Sequence, residues 1–284
     1  MEQYISRFDE LNESIENGGN DEGYKWRAES QFKNNWNLDD TDFEGMFIKS
    51  MQEISNLIDN ATVQPIGGIR LLLKQEKEVE FVRQSFRNLF CEDGGDLDKR
   101  QERIDEFIDT VNAKIEKYVN GSWKYPQSRN SVIYYLNLWK PEENYIFKST
   151  EATAWANCIE YGDDFGSGKT FSLKKYYKMC DELLEEIKDN QELLKLHSER
   201  MTKEAKEYDD KLHILVYDVI YCAYTYGFYQ NMSISKTSIK ERIRRASNRQ
   251  KMDDLQNIIL TAEERIKQAQ GEIKPLPDLT GKQV

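Results

Sequence analysis

Apolar residues recur at intervals of three and four along most of this chain, and such spacing places them on one face of an α-helix. Between Phe43 and Ile58, seven apolar side chains fall on one predicted face. Glycine- and asparagine-rich stretches at 16–20, 93–95 and 120–121 separate the periodic segments and predict helix ends. The pattern therefore predicts a mainly α fold, with two helical subdomains and at most a few short strands.

Composition changes along the chain and suggests three regions. Seven aromatic residues lie between positions 122 and 150, and basic residues dominate 236–251. We therefore expect an N-terminal helical region at 1–120, an aromatic-rich helical module at 121–231, and a basic C-terminal helix and tail at 232–284. Short strands are expected at 145–148 and near the end of the given sequence, at 277–284.

The overall composition predicts a globular, cytoplasmic protein. Aromatic residues make up 12% of the 284 residues, whereas disordered chains are usually poor in them. No apolar run approaches the roughly 20 residues that cross a bilayer, and the first residues do not resemble a signal peptide. Four scattered cysteines and two histidines form no metal-binding spacing, so neither a metal nor a cofactor is expected.

The net charge of −11 argues against a protein that coats nucleic acid with its whole surface. Two local stretches nevertheless carry features typical of nucleic-acid binding. One combines cations with aromatic rings, and the other clusters cations on a predicted helix. The alternatives are a packed aromatic core with lysines at its surface, and a solvated helix face. The candidate nucleic-acid-binding residues are Arg129, Trp139, Lys140, Tyr145, Lys148, Arg242, Arg244 and Arg245.

The segment from Asp163 to Thr170 ends in Gly-Lys-Thr, as a phosphate-binding loop does. Asp163, however, stands where such a loop has its first glycine, and its carboxylate would repel phosphate. The sequence also contains no GxSxG, HExxH or Cys–His arrangement. No catalytic residue is therefore predicted.

The last predicted helix carries apolar residues three and four apart, a spacing typical of a short coiled-coil seam. Such a seam more often packs on its own domain, and pairing with a second copy of the chain is the alternative. Its members are Met252, Leu255, Ile259, Ala262, Ile266 and Ala269.

The second half of the chain resembles a known module. Five segments carry the resemblance: 129–136, 140–150, 152–158, 174–178 and 213–221. Residues 122–229 resemble an uncharacterised helical module of bacterial restriction and anti-phage proteins, found ahead of McrB-like AAA+ motors. The resemblance implies helical architecture and a defence context. It implies no reaction.

Together these features favour a non-enzymatic binding or adaptor module with a protein partner, in a prokaryotic defence or nucleic-acid-processing system. A nucleic-acid-binding domain with an aromatic–basic groove is the alternative. A nuclease whose dispersed site leaves no motif is a third hypothesis.

Overall fold

The computed structural model describes residues 1–59, 63–119, 124–200, 208–229 and 239–271. The fold is mainly α, as predicted. Within the described residues the β contacts reduce to one isolated parallel bridge between Val63 and Lys124. No described helix is both long and apolar enough to cross a membrane. The strand predicted at 277–284 lies outside the described residues.

Two 3₁₀ turns, Ile15–Asn17 and Gly168–Thr170, lie between described helices. The first eight helices are α1 (Glu2–Ser6), α2 (Phe8–Asn12), α3 (Tyr24–Asn35), α4 (Phe43–Ser50), α5 (Ser55–Ile58), α6 (Pro65–Leu73), α7 (Glu76–Leu89) and α8 (Leu97–Ile115). The next six are α9 (Arg129–Trp139), α10 (Ser149–Cys158), α11 (Leu173–Asp189), α12 (Gln191–Arg200), α13 (His213–Thr225) and α14 (Ile239–Gly271).

Side-chain caps explain where several helices begin. Asp42 accepts a hydrogen bond from the backbone N–H of Gly45 at 3.0 Å and caps α4. Ser128 and Ser131 form a capping box at the start of α9. The Pro-Ile-Gly-Gly stretch at 65–68 has the composition of a helix break, but Pro65 instead begins α6, because the first helical position needs no intrahelical N–H donor.

The strand predicted at 145–148 is wrong. This segment lies between α9 and α10 and has no strand partner among the described residues. Side chains take up its carbonyl groups: the Tyr176 hydroxyl donates to the carbonyl of Ile146 at 2.6 Å, and the Asn137 amide donates to that of Asn144 at 2.8 Å. These bonds replace the ladder that a strand would need.

Residues 1–159 and 165–235 form the first compact unit, unit 1. Its core includes a cluster of aromatic rings around Phe86 in α7, whose ring centroid lies 5.0–6.0 Å from those of five other rings. Because the cluster joins α7 and α8 to α9, residues of the 1–120 and 121–231 regions share one core. The five rings belong to Trp36, Phe47, Phe90, Phe107 and Tyr135.

Residues 160–164 and 236–284 form the second compact unit, unit 2. Its described part is α14 with the short segment 160–164. Arg242 donates to the carbonyl oxygen of Asp163 at 2.9 Å, and Arg245 and Arg249 form ion pairs with Glu160. These contacts hold the first turns of α14 against 160–164.

Candidate interaction surface

Two of the predicted nucleic-acid-binding cations lie in ion pairs at opposite ends of α9. Arg129 places its guanidinium 2.5 Å from the carboxylate of Asp105 in α8. The Lys140 ammonium lies 2.6 Å from Glu92 and 2.9 Å from Glu143. Nearby carboxylates therefore neutralise both charges, and a phosphate group would have to compete with them.

The two predicted stacking rings are engaged within unit 1. Trp139 stacks on Phe90, with the ring centroids 5.1 Å apart and the planes at 9°. Tyr145 is 2% exposed, its hydroxyl donates to Asp181 at 2.7 Å, and its ring lies 4.0 Å from that of His213. A nucleobase needs an accessible ring face for stacking, and Tyr145 offers none.

The structure brings Trp139 and Lys140 together, with the Lys140 ammonium 4.9 Å from the centre of the indole ring. Arg129 lies ten residues before Trp139 on the same helix, which separates them by about 15 Å along the axis. These candidates therefore do not converge on one continuous groove.

Lys148 differs from Arg129 and Lys140, the other predicted cations of unit 1. It is half-buried directly before α10, and no carboxylate of the described residues lies within 4.0 Å of its ammonium nitrogen. Burial lowers the pKa of Lys148 below its usual value. Glu151 attracts the ammonium group from beyond that distance, but a half-buried ammonium group without a close ion pair is still a place where an anion would be stabilised.

The three predicted cations of α14 face acidic or carbonyl groups of unit 2. Arg242 is 2% exposed, and burial lowers its pKa. Arg244 and Arg245 both pair with Glu241, at 2.6 and 3.2 Å, and Arg245 also lies 3.4 Å from Glu160. The basic stretch is thus partly neutralised within its own unit.

The segment that ends in Gly-Lys-Thr folds as a compact turn. Gly168–Thr170 forms a 3₁₀ turn capped by Ser167, and helix α10 with a short turn precedes the segment. Gly166 has φ +71° and lies so close to the carbonyl group of Thr170 that a Cβ atom would stand 2.1 Å from the oxygen. This geometry lacks the strand that leads into a phosphate-binding loop.

A buried ionic network in unit 1 has no counterpart in the sequence predictions. Lys25 is fully buried, and its ammonium group pairs with Glu22 and, at 2.6 Å, with Asp218. Asp218 also accepts the hydroxyl of Tyr4 at 2.5 Å. Ligand atoms of Glu22, Asp218 and Cys222 lie within 4.8 Å of one another, but the Lys25 ammonium already supplies the positive charge that a metal ion would bring.

Two further carboxyl groups of unit 1 are completely enclosed. Asp209 accepts hydrogen bonds from the Trp26 indole at 3.0 Å and from the N–H groups of Ile214 and Leu215, and burial raises its pKa to about 7. Burial also raises the pKa of Glu29, whose oxygens have no hydrogen-bond partner among the described residues. Both groups favour the neutral form because burial penalises the charged one.

The apolar seam predicted in the last helix is exposed on α14 as far as Ile266. Its large side chains, joined by Ile258, form a stripe about 120° wide at 100° per residue. Between 55% and 65% of each side chain remains exposed. We call this stripe the α14 apolar face; its members are Met252, Leu255, Ile258, Ile259 and Ile266. The smaller Ala262 of the predicted seam is also exposed.

Comparisons with protein-family models, curated proteins and solved structures found no match for this chain. A functional assignment therefore has to come from surfaces and buried groups of the molecule itself. In unit 2, the α14 apolar face is the strongest candidate for a binding surface. Large apolar residues that line up on one face usually pack against a partner, yet these side chains are exposed.

Proposed function

We propose that this protein is a non-catalytic interaction module that works through the α14 apolar face, and that the face binds α14 of a second copy. The observation that carries the proposal is the line of five large, exposed apolar side chains on one side of a 33-residue helix. A two-fold pair of such helices buries the same face on both chains.

The length and spacing of the face suit a helical pair. From Met252 to Ile266 the face extends about 21 Å along the helix axis. Its residues follow a heptad repeat, with Met252, Ile259 and Ile266 at one core position and Leu255 at the other. Removing each of these side chains from water contributes on the order of 1–2 kcal/mol, since about half of each is exposed.

Charge favours an antiparallel pair. Residues 239–251 contain six basic side chains and one acidic side chain, whereas 252–271 contain four acidic and two basic ones. In a parallel pair the two basic halves would lie side by side and repel each other. An antiparallel pair that buries the apolar face of both copies instead moves the two basic halves to opposite ends of the pair.

The nucleic-acid alternative receives less support from the same contacts. Arg129, Lys140, Arg244 and Arg245 lie in ion pairs, and Arg242 is buried. Binding of nucleic acid would have to break these pairs to release the cations.

The defence context of the proposal rests on the resemblance of residues 122–229 to a restriction-associated module. Genomic neighbourhood tests this part separately. A neighbouring nuclease or AAA+ gene would support an adaptor role in defence, and a metabolic operon would contradict it.

Sedimentation equilibrium of two matched variants tests the pairing of α14. Ile259→Asp places a charge in the apolar face, and Thr261→Asp places the same charge about 200° around the helix. Both copies change at once, so Ile259→Asp should weaken the dimer by about 3–6 kcal/mol, or about 100- to 20,000-fold in Kd.

Wild type and Thr261→Asp are expected to reach twice the monomer mass at the same concentrations, and Ile259→Asp to remain monomeric. Circular dichroism at 222 nm checks that both variants keep their helices. A wild type that is monomeric throughout, or equal effects of the two substitutions, would contradict the proposal and indicate that the face packs within its own chain.

A further inference from the structure

Unit 1 contains a second candidate site, independent of α14. A cavity of about 230 Å³ lies where the starts of α9 and α10 meet the middle of α13 and the segment around Pro65. Such a volume accommodates a small metabolite. Its polar lining comes mainly from the first residues of α9 and α10.

Two helix N-termini lie side by side at this cavity. Ser128, Asn130 and Ser131 from the start of α9 line it, as do Lys148, Thr150 and Glu151 from the start of α10. The two starts are joined directly, because the backbone N–H of Ser149 donates to the Asn130 side-chain oxygen at 3.2 Å. The first N–H groups and the dipole of each helix make such ends favourable for anions.

Lys148 adds a full positive charge to the same lining. Its ammonium group is not paired with a carboxylate within 4.0 Å among the described residues, and the centre of the Tyr221 ring lies 6.0 Å away. The face of an aromatic ring stabilises a cation less than an anionic partner does. The lysine therefore retains the capacity to bind an oxyanion that enters the cavity.

Tyr217 provides an independent indication of a ligand. This residue of α13 lines the cavity and is 1% exposed, yet its hydroxyl group has no hydrogen-bond partner among the described residues. Buried hydroxyl groups normally have a partner, since an unsatisfied one destabilises the fold. A ligand oxygen in the cavity would supply the missing acceptor.

We propose that this cavity binds the oxyanion group of a small molecule, held by Lys148, the helix N-termini of α9 and α10, and the hydroxyl group of Tyr217. Glu151 also lines the cavity and would repel a ligand that is anionic throughout. The ligand class that fits is a small metabolite that carries a carboxylate or phosphate together with a hydroxyl or ammonium donor for Glu151.

Inorganic phosphate and acetate serve as the simplest probes, titrated calorimetrically at constant ionic strength into wild type and three variants. Lys148→Met removes the charge in the cavity, and Lys178→Met removes an exposed charge from α11 as a control. Tyr217→Phe removes only the hydroxyl group. We expect millimolar binding of at least one probe, about tenfold weaker in Lys148→Met and unchanged in Lys178→Met.

Thermal unfolding separates a ligand role of Tyr217 from a structural one. Without a ligand, Tyr217→Phe should unfold at or above the wild-type temperature, because it removes an unsatisfied buried group. With the probe it should bind about two- to tenfold more weakly than wild type. Binding of acetate alone or of phosphate alone would support the proposal and identify the carboxylate or phosphate class.

Three results would overturn the proposal. One is the absence of binding for both probes up to about 20 mM. Another is equal binding by Lys148→Met and Lys178→Met. The third is a lower unfolding temperature of ligand-free Tyr217→Phe, which would show that the hydroxyl group already serves the fold.

Discussion

Replacing Lys25 with methionine is expected to destabilise unit 1 by about 3–5 kcal/mol, the range for breaking a buried ion pair on one side. Lys25 and Asp218 are fully buried and Glu22 is 2% exposed. Methionine fills much of the same volume but leaves two buried carboxyl groups without a counter-ion. Urea unfolding followed by tryptophan fluorescence reports the change, since all five tryptophans lie in the residue ranges of unit 1.

Arg27→Met provides the matched control on the same helix. Arg27 pairs with Asp21 at 2.7 Å, but its side chain is 51% exposed, so its loss should change the unfolding free energy by no more than about 1 kcal/mol. Adding Asp218→Asn to Lys25→Met should restore part of the stability, because it removes one stranded charge. Equal effects of the Lys25 and Arg27 substitutions would refute the reasoning.

Two further stability predictions follow from unit 1. Phe86→Ala should lower the unfolding free energy by about 3–5 kcal/mol, because it empties the centre of the aromatic cluster. Ile15→Ala, at a side chain that is 72% exposed, should change it by less than about 0.5 kcal/mol, and similar urea midpoints for the two variants would contradict this core. The pKa of Asp209 is raised to about 7, from about 3.9 in the unfolded chain, so the folded state binds more protons between these values and stability should fall as pH rises from about 4 to 7. Urea midpoints at pH 5 and pH 8 should therefore differ less in Asp209→Asn than in wild type, and an identical pH dependence would exclude Asp209 as the cause.

Helix positions were largely predictable because the signals for them are local. The apolar period and nearby stop residues indicate α8, and a single side chain at its first turn caps α4. Pro65 is a position where local signals do not decide whether a helix begins or ends. A proline ends one helix and begins another with equal ease, and only the neighbouring packing decides which occurs.

The state of individual charges was not predictable from the sequence. Lys140 and Lys148 belong to the same aromatic–basic stretch, yet one lies between two carboxylates and the other lines a cavity. Lys25 is paired with Asp218, 193 positions further along the chain. Composition does not distinguish a paired lysine from an unpaired one, because the environment of each depends on contacts between distant segments. The one local signal for the buried network was an aspartate inside the apolar segment 213–229.

The distance between spin labels on two copies of α14 tests the central claim most directly. Gln250→Cys, in a chain with Cys91 and Cys158 replaced by serine, places one label nine residues from Ile259 at the centre of the apolar face. An antiparallel pair centred there separates the two labels by about 27 Å along the axis, whereas a parallel pair separates them only across the pair, with no axial offset. We expect the longer distance in the wild-type background and its loss in Ile259→Asp. A sample that gives no distance between chains would contradict pairing through α14, and the short distance would contradict its antiparallel arrangement.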